Sequence, residues 1–150
     1  MRALIQRVAH AEVRVADTII GAIDRGLLVL LGVQESDTLR DVDYLATKVV
    51  TLRIFEDTQG KINLDVRDVQ GALLVVSQFT LYADCRKGRR PSFIQAARPD
   101  LAQQRYEEFL QAVTRHGVPL AHGAFGEHMA VSLVNDGPVT LMIDSPPSAE

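Results

Sequence analysis

Two uninterrupted apolar segments constrain the fold of this chain more than any other feature. Residues 27–31 read LLVLL between two glycines, and residues 72–76 read ALLVV. Short apolar runs of this kind are typical of strands that are covered on both faces. We therefore expect two buried strands, of which the first lies centrally in its sheet.

Further strands are indicated before and after these segments. The strand that begins at residue 72 is expected to run on to residue 81, and a turn is predicted at residues 16–17. The sequence DTQG at residues 57–60 predicts another turn. The remaining predicted strands are residues 4–8, 13–15, 18–23, 53–55, 129–134 and 139–143.

Two amphipathic helices are expected between the strands. The first starts after a cap among residues 36–38 and ends near Leu52. The second begins near Pro99, a residue suited to a first helical turn, and stops at Gly117. Their buried stripes are Val42, Leu45, Ala46 and Val49 in the first, and Tyr106, Phe109, Leu110 and Val113 in the second.

The order of these elements predicts an α+β fold in one domain. Short early connections favour antiparallel pairing, so we expect a mostly antiparallel sheet, curled towards a barrel, with two main helices. The domain is expected to span residues 1–144, and residues 145–150, with two prolines, to form a flexible tail.

Composition is that of an ordinary soluble domain, with 47% hydrophobic and 23% charged residues. No segment approaches the roughly 20 apolar residues that span a bilayer. The polar residues Gln6 and Arg7 interrupt the first apolar stretch, which argues against a signal peptide. The single cysteine, Cys85, cannot form an internal disulfide. A cytoplasmic protein with no membrane contact is therefore expected.

Common catalytic motifs are absent from the sequence. There is no G-x-S-x-G elbow, phosphate loop or G-x-G-x-x-G, and the four histidines form no H-x-x-x-H or H-E-x-x-H spacing. We expect neither a metal nor a cofactor. Cys85 lies beside basic residues that can lower a thiol pKa, but no histidine is placed by motif to serve it as a base.

Three polar segments stand out against the apolar pattern, and each has an ordinary alternative. Residues 77–81, SQFTL, can hold backbone N–H groups towards a ligand, or pair across strands. Residues 135–138, NDGP, are by default a hairpin turn, although an X-Pro bond can be cis. A basic loop can bind phosphates or remain solvated, in a chain of net charge −3. Its cations are Arg86, Lys87, Arg89 and Arg90.

Together these segments resemble the D-aminoacyl-tRNA deacylase family, from residue 1 to about residue 143. Any one segment can arise by chance, but their joint order at this chain length is highly specific. The matching segments are ALIQRV at 3–8, GLLVLLGV at 26–33, RIF at 53–55, SQFTL at 77–81, KG at 87–88, RPSF at 90–93 and VSLVNDGPVT at 131–140.

The resemblance implies a homodimeric hydrolase that cleaves the ester of D-aminoacyl-tRNA. The active site would lie at the subunit interface. Residues 77–81 of one subunit would line the pocket for the 3′-terminal adenosine and its ester, with Ser77 and Gln78 as substrate-binding residues. Backbone N–H groups of Phe79 and Thr80 would stabilise the oxyanion, while the ribose 2′-OH assists the attacking water. The Thr80 hydroxyl is an alternative nucleophile, but no base is placed for it. The basic loop would contact phosphates.

The resemblance also implies how D and L substrates are told apart. A cis Gly137-Pro138 bond from the other subunit would present two carbonyls that collide with an L side chain. Arg7 resembles the residue that holds this loop, and Met129 lies in a stretch near the site. Glycyl-tRNA has no side chain to exclude, so we expect it to be cleaved as well.

Two other functions fit parts of the pattern. The related animal deacylase that removes L-alanine from the wrong tRNA differs at the same motifs, and Ser77 and Phe79 favour the D-specific enzyme. An RNA-binding module without catalysis would explain the missing catalytic pair. Turnover of D- and L-aminoacyl-tRNA separates the three.

Overall fold

Eight strands, two α-helices and one short 3₁₀ helix make up the computed structural model, which describes residues 1–147. The strands are β1 (Arg2–Val15), β2 (Thr18–Ile23), β3 (Gly26–Gly32), β4 (Phe55–Glu56), β5 (Ile62–Leu64), β6 (Ala72–Ser77), β7 (Leu120–His122) and β8 (Ala130–Asp144). The helices are α1 (Leu39–Thr51), the 3₁₀ helix (Phe79–Tyr82) and α2 (Pro99–Arg115).

The main sheet curls until its two ends meet. Its order is β2-β1-β3-β6-β7, with β8 also paired to β1. β1 is antiparallel to β2, β3 and β8, whereas β3–β6 and β6–β7 are parallel. A Cβ atom built on Gly21 of β2 would lie only 2.8 Å from the carbonyl oxygen of His122 in β7. The predicted α+β class, with a curled, mostly antiparallel sheet, is confirmed.

The apolar run of β3 contributes to two hydrophobic clusters on opposite faces of the sheet. Leu27, Val29 and Leu31 pack with the buried residues of α1 and α2. Leu28 points the other way and packs with Leu74 of β6 in the interior of the curled sheet. Each buried leucine side chain contributes about 1.5–3 kcal/mol to folding. The central position expected for this strand is confirmed.

Both helices begin and end where their capping residues predict. The Thr38 backbone N–H donates to the Asp41 carboxylate at 2.8 Å, which satisfies one free donor at the start of α1. The carboxylate's bonds to Ser145 and Thr38 keep the pKa of Asp41 below its usual value, against the effect of burial. α2 starts at Pro99 and is followed by Gly117 at a φ of +76°.

Two strand predictions and one turn prediction are corrected by the structure. Residues 4–8 and 13–15 belong to one strand, β1. The strand expected to reach residue 81 ends at Ser77, where the 3₁₀ helix takes over. Residues 135–138 do not form a hairpin turn, because both halves of β8 pair with the same long neighbour, β1, and the chain keeps its direction.

The end of the described chain is held against the start. The Ser145 hydroxyl donates to Asp41 at 2.7 Å, and its backbone N–H donates to the Met1 carbonyl at 2.8 Å. The last three residues of the tail that was expected to be flexible, 148–150, lie outside the described residues. None of the helices in residues 1–147 has the length and apolarity to cross a membrane.

Candidate active site

A groove opens where β6 ends. Residues 76–79 form one wall, and residues 126–129 with Val131 form the other, around a volume of about 250 Å³. The Gln78 backbone N–H donates to the Leu31 carbonyl at 2.8 Å, the last backbone bond to β3 before the 3₁₀ helix starts. The fold thus brings four of the predicted site residues to one place: Ser77, Gln78, Phe79 and Met129.

Two successive backbone N–H groups at the start of the 3₁₀ helix have no partner in the secondary structure. Phe79 lines the groove, whereas Thr80, the next residue and also predicted for the site, does not. Phe79 and Thr80 occupy the first two positions of the 3₁₀ helix, where no earlier carbonyl of the helix can accept from them. Within residues 1–147, neither N–H donates to a carbonyl elsewhere in the backbone. Both groups are therefore available to stabilise negative charge on a bound oxygen.

The Thr80 hydroxyl is engaged with an amide rather than a base. The Gln78 side-chain nitrogen donates a short hydrogen bond to Thr80 Oγ1. In the described residues, no histidine or carboxylate is hydrogen-bonded to this hydroxyl. The side chain thus lacks the neighbouring base that nucleophilic catalysis requires.

The 3₁₀ helix is fixed tightly against the sheet. A Cβ atom on Gly32 would lie 3.2 Å from both Leu81 and the Tyr82 ring, so a larger residue there would require these side chains to move by a few tenths of an ångström. Arg2 donates to the Leu81 carbonyl at 3.0 Å and stacks over Tyr82, 5.0 Å from the ring centre. Burial raises the pKa of the Tyr82 hydroxyl. These contacts hold the N–H groups of the helix in place.

An aromatic pocket of about 360 Å³ adjoins the groove and shares Ser77, Phe79 and Gly126 with it. Phe79 and Phe93 meet edge to face at 5.1 Å, and Tyr106 lies 5.9 Å from Phe125. Apolar walls with facing aromatic rings suit a flat, weakly polar ring system.

The Tyr106 hydroxyl of this pocket is directed into the sheet. It donates to the Val75 carbonyl at 3.0 Å, and burial raises its pKa to about 12. The apolar periodicity of α2 predicts Tyr106 in its buried stripe, and no sequence pattern assigns a role to Phe93 or Phe125. These three rings come from separate elements, so no local motif in the sequence signals that they share a pocket.

A wide bulge interrupts β8. Gln6 pairs with Thr140 and Val8 with Asn135, so residues 136–139 stand opposite Arg7 alone. This bulge contains the Gly137-Pro138 bond, which is cis. The residues that line the groove of the same subunit include none from the bulge.

Arg7 is buried and tied to the bulge. Its Nε donates to the Asp136 carbonyl at 3.0 Å, and Nη1 donates to the Ile54 carbonyl at 2.8 Å. Gly137 has a φ of +131°, and a Cβ there would lie 2.9 Å from Nη2 of Arg7. The guanidinium thus packs directly under the main chain of the bulge.

The basic loop is closed by backbone bonds and lies fully at the surface. Asp84 and Ser92 exchange bonds of 2.8 and 2.9 Å, which join the loop at one end to the 3₁₀ helix and at the other to Phe93 of the aromatic pocket. Arg86 binds the Asp84 carboxylate at 2.6 Å and lowers the pKa of that group to about 2. Within residues 1–147, no carboxylate lies within ion-pair distance of the remaining cations, Lys87, Arg89 and Arg90.

Cys85 is exposed in the same region. The described residues contain no group of three or more histidine, cysteine, aspartate or glutamate side chains that could hold a metal ion.

Comparison with known proteins decides the family. The profile of the D-Tyr-tRNA(Tyr) deacylase family matches residues 4–144. The chain belongs to this family. D-aminoacyl-tRNA deacylases from Thermosipho africanus and Desulfatibacillum aliphaticivorans are 57% and 59% identical to it over 145 residues. These matches cover 97% of this chain and 97% and 99% of the two relatives. As a member of this family, the protein is a hydrolase.

Two solved structures share the fold. One, described as c-Myc DNA Unwinding Element Binding Protein, has a TM-score of 0.92 at 40% identity, over 98% of this chain and all of the other. The second is described as a probable eukaryotic D-amino acid tRNA deacylase. It has a TM-score of 0.82 at 18% identity, over 95% of this chain and 98% of the other. At that identity the second likeness concerns the fold alone.

Proposed function

We propose that this protein is a homodimeric, cytoplasmic hydrolase of D-aminoacyl-tRNA that also cleaves glycyl-tRNA and rejects L-aminoacyl-tRNA. The observation that carries the proposal is the pair of free backbone N–H groups at Phe79 and Thr80. Phe79 lines both the groove and the adjoining aromatic pocket, and Thr80 follows it in the 3₁₀ helix. A bound aminoacyl-tRNA needs both features. The N–H groups would bind the carbonyl oxygen of the ester, and the aromatic pocket would bind the adenine of the nucleotide that carries the ester.

In the proposed complex, the 3′-terminal adenine occupies the aromatic pocket and the ester lies in the groove. The pocket is bounded by Phe79 and Phe93, whose rings offer apolar surface to a base. The ester carbonyl then faces the N–H groups of the 3₁₀ helix, which stabilise the tetrahedral oxyanion. The neighbouring ribose 2′-OH assists the attacking water, so the protein mainly positions the reacting groups.

Chirality is enforced, in this proposal, by the bulge of the partner subunit. Carbonyls of Gly137 and Pro138 face the α-carbon of the bound amino acid and collide with a substituent in the L position. Two observations support it: Arg7 holds the bulge from below, and the groove has no wall from the bulge of its own subunit. Glycine has no side chain to exclude, so its ester is accepted.

The outer edge of β8 supports dimerisation. Within the described residues, this 15-residue strand pairs only with β1. Its side chains Val134, Leu141 and Met142 are 38–51% exposed. Unpaired edges with apolar side chains favour association with another chain. A second copy that covers this strand would bring the bulge close to another subunit.

The basic loop is proposed to bind tRNA phosphates near the 3′ end. Lys87, Arg89 and Arg90 carry charges that no nearby carboxylate in residues 1–147 offsets. Because the loop is joined to the 3₁₀ helix and to Phe93, phosphates bound there lie close to the aromatic pocket. Such contacts add affinity without reading sequence.

The test is turnover of five substrates: D-Tyr-tRNA, L-Tyr-tRNA, L-Ala-tRNA, Gly-tRNA, and D-Tyr-tRNA ending in 2′-deoxyadenosine. We expect rapid hydrolysis of D-Tyr-tRNA and Gly-tRNA, little of the L ester, and a large loss with the deoxy substrate. Preference for L-Ala-tRNA over D-Tyr-tRNA would instead assign the L-alanine activity. Binding of tRNA without any hydrolysis would show a binding module.

A further inference from the structure

A side-chain bridge spans the base of the bulge. Asn135 Oδ1 accepts the Val139 backbone N–H at 3.1 Å, and Asn135 Nδ2 donates to Thr140 Oγ1 at 3.0 Å. The orientation of this amide follows from its partners. A backbone N–H can only donate, so the oxygen must face Val139 and the nitrogen must face Thr140. Asn135, which precedes the bulge, is thus hydrogen-bonded to Val139, the last residue of the bulge, and to Thr140, which follows it.

The bridge is connected to β1 as well. Thr140 Oγ1 also accepts from Gln6 Nε2 at 3.3 Å. Arg7 anchors the first residue of the bulge through the Asp136 carbonyl at 3.0 Å. Two independent tethers therefore act on this segment, Arg7 from the core and Asn135 across its two ends.

The bulge needs these tethers because residues 136–139 have no register partner in β1 and stand opposite Arg7 alone. Without Asn135, the Val139 N–H would turn to water, and the two ends of the bulge could separate. The peptide groups between them would then be free to rotate. A main chain that excludes substrates by collision must keep its carbonyls in one orientation.

We propose that Asn135 is a positioning residue for chiral selection. Its side chain fixes the orientation of the main chain at residues 136–138, and through it the exclusion of L-aminoacyl esters. This role rests on the proposed function of the bulge. Asn135 itself touches neither substrate nor the reacting atoms.

The decisive variant is Asn135→Ala, with Asn135→Asp as the conservative rescue. A carboxylate can accept from Val139 N–H and from the Thr140 hydroxyl, so the aspartate rebuilds both ends of the bridge. Asn63→Ala, on exposed β5, is the matched control for the same substitution away from the bulge. We expect the ratio of L-Tyr-tRNA to D-Tyr-tRNA hydrolysis to rise at least tenfold in Asn135→Ala. It should rise by less than threefold in Asn135→Asp and in the control.

A second measurement reports on the bulge without any substrate. Hydrogen exchange of the Val139 amide should be about tenfold faster in Asn135→Ala, as expected for the loss of one hydrogen bond, and close to the parent rate in Asn135→Asp. If Asn135→Ala does not fold, Thr140→Val removes the far end of the bridge with little change in shape and takes its place in the selectivity measurement. Its Val139 N–H keeps the bond to Asn135, so its Val139 exchange should stay close to the parent rate.

The proposal is overturned if a folded Asn135→Ala protein keeps the parent L/D ratio, whether or not Val139 exchange accelerates. It is equally overturned if Asn135→Asp loses as much selectivity as Asn135→Ala. Failure of the proposed function has a different signature, since the unaltered protein would then fail to prefer D-Tyr-tRNA. The parent measurement therefore separates the two failures.

Discussion

Replacing Phe79 by proline tests whether backbone N–H groups carry the chemistry. Proline has no N–H, and the first position of a helix tolerates its ring. The preceding residue, Gln78, has φ −146° and ψ 79°, outside the α region that a following proline disfavours. The substitution should therefore remove one of the two proposed oxyanion donors and leave the 3₁₀ helix folded.

The matched control is Phe79→Ala, which loses the same ring but keeps the N–H. Loss of the edge-to-face contact with Phe93, at 5.1 Å, costs about 0.5–1.5 kcal/mol in either variant and should mainly weaken binding. Loss of one oxyanion donor typically lowers kcat by about 10²–10³-fold, or about 2.7–4 kcal/mol. The proline variant should thus be about 100-fold or more slower than the alanine variant.

The assay is single-turnover release of D-tyrosine from D-Tyr-tRNA at saturating enzyme, so that the rate reports chemistry rather than binding. Circular dichroism and tRNA binding confirm that both variants are folded. If the proline and alanine variants react at rates within threefold of each other, the backbone donor at Phe79 has no catalytic role and the reasoning is refuted.

Three further outcomes are expected. Thr80→Ala should keep more than a tenth of the parent kcat, because its N–H remains; near-complete loss in a folded variant that still binds tRNA would favour a side-chain nucleophile. Arg89→Ala should raise KM for tRNA and lower the slope of log KM against log salt by about 0.7–0.9 if it meets one phosphate; an unchanged slope would contradict that contact. Tyr106→Phe should lower the free energy of unfolding by about 0.5–1.5 kcal/mol in urea titration. The Val75 carbonyl keeps its bond from Gly123 N–H at 3.0 Å, so a loss above 3 kcal/mol would contradict this account.

The fold was predictable from sequence to the extent that apolar periodicity determines it. The apolar runs around Leu28 and Leu74 predict strands that are buried on both faces. The apolar stripes that contain Val42 and Phe109 predict the two helices. Helix ends were predictable because Pro99 and Gly117 act through local backbone geometry.

The bulge was not predictable from residues alone. The sequence NDGP at residues 135–138 has turn-forming composition, and composition does not reveal that both flanking segments pair with one 14-residue strand. The pairing of β8 along β1 is a long-range property. It places the four residues 136–139 opposite Arg7 alone, where composition predicts a reversal of the chain.

One part of the candidate site, the groove, was predictable from the sequence, and the other, the aromatic pocket, was not. The polar segment after β6 marks the groove, since Ser77 and Gln78 follow an apolar strand. The aromatic pocket was missed, because Phe93, Tyr106 and Phe125 come together only through tertiary packing. The hydrogen bonds of Asn135 to Val139 and Thr140 were not predictable either, because they depend on the geometry of the bulge.

The central claim is that each active site combines the groove of one subunit with the bulge of its partner. A purified heterodimer of one Phe79→Pro subunit and one Arg7→Ala subunit tests it directly. Its only active groove, in the Arg7→Ala subunit, would face the intact bulge of the Phe79→Pro subunit. We predict hydrolysis of D-Tyr-tRNA with the strict rejection of L-Tyr-tRNA seen in the parent. Hydrolysis of the L ester at the rate of the Arg7→Ala homodimer, per active groove, would contradict the account.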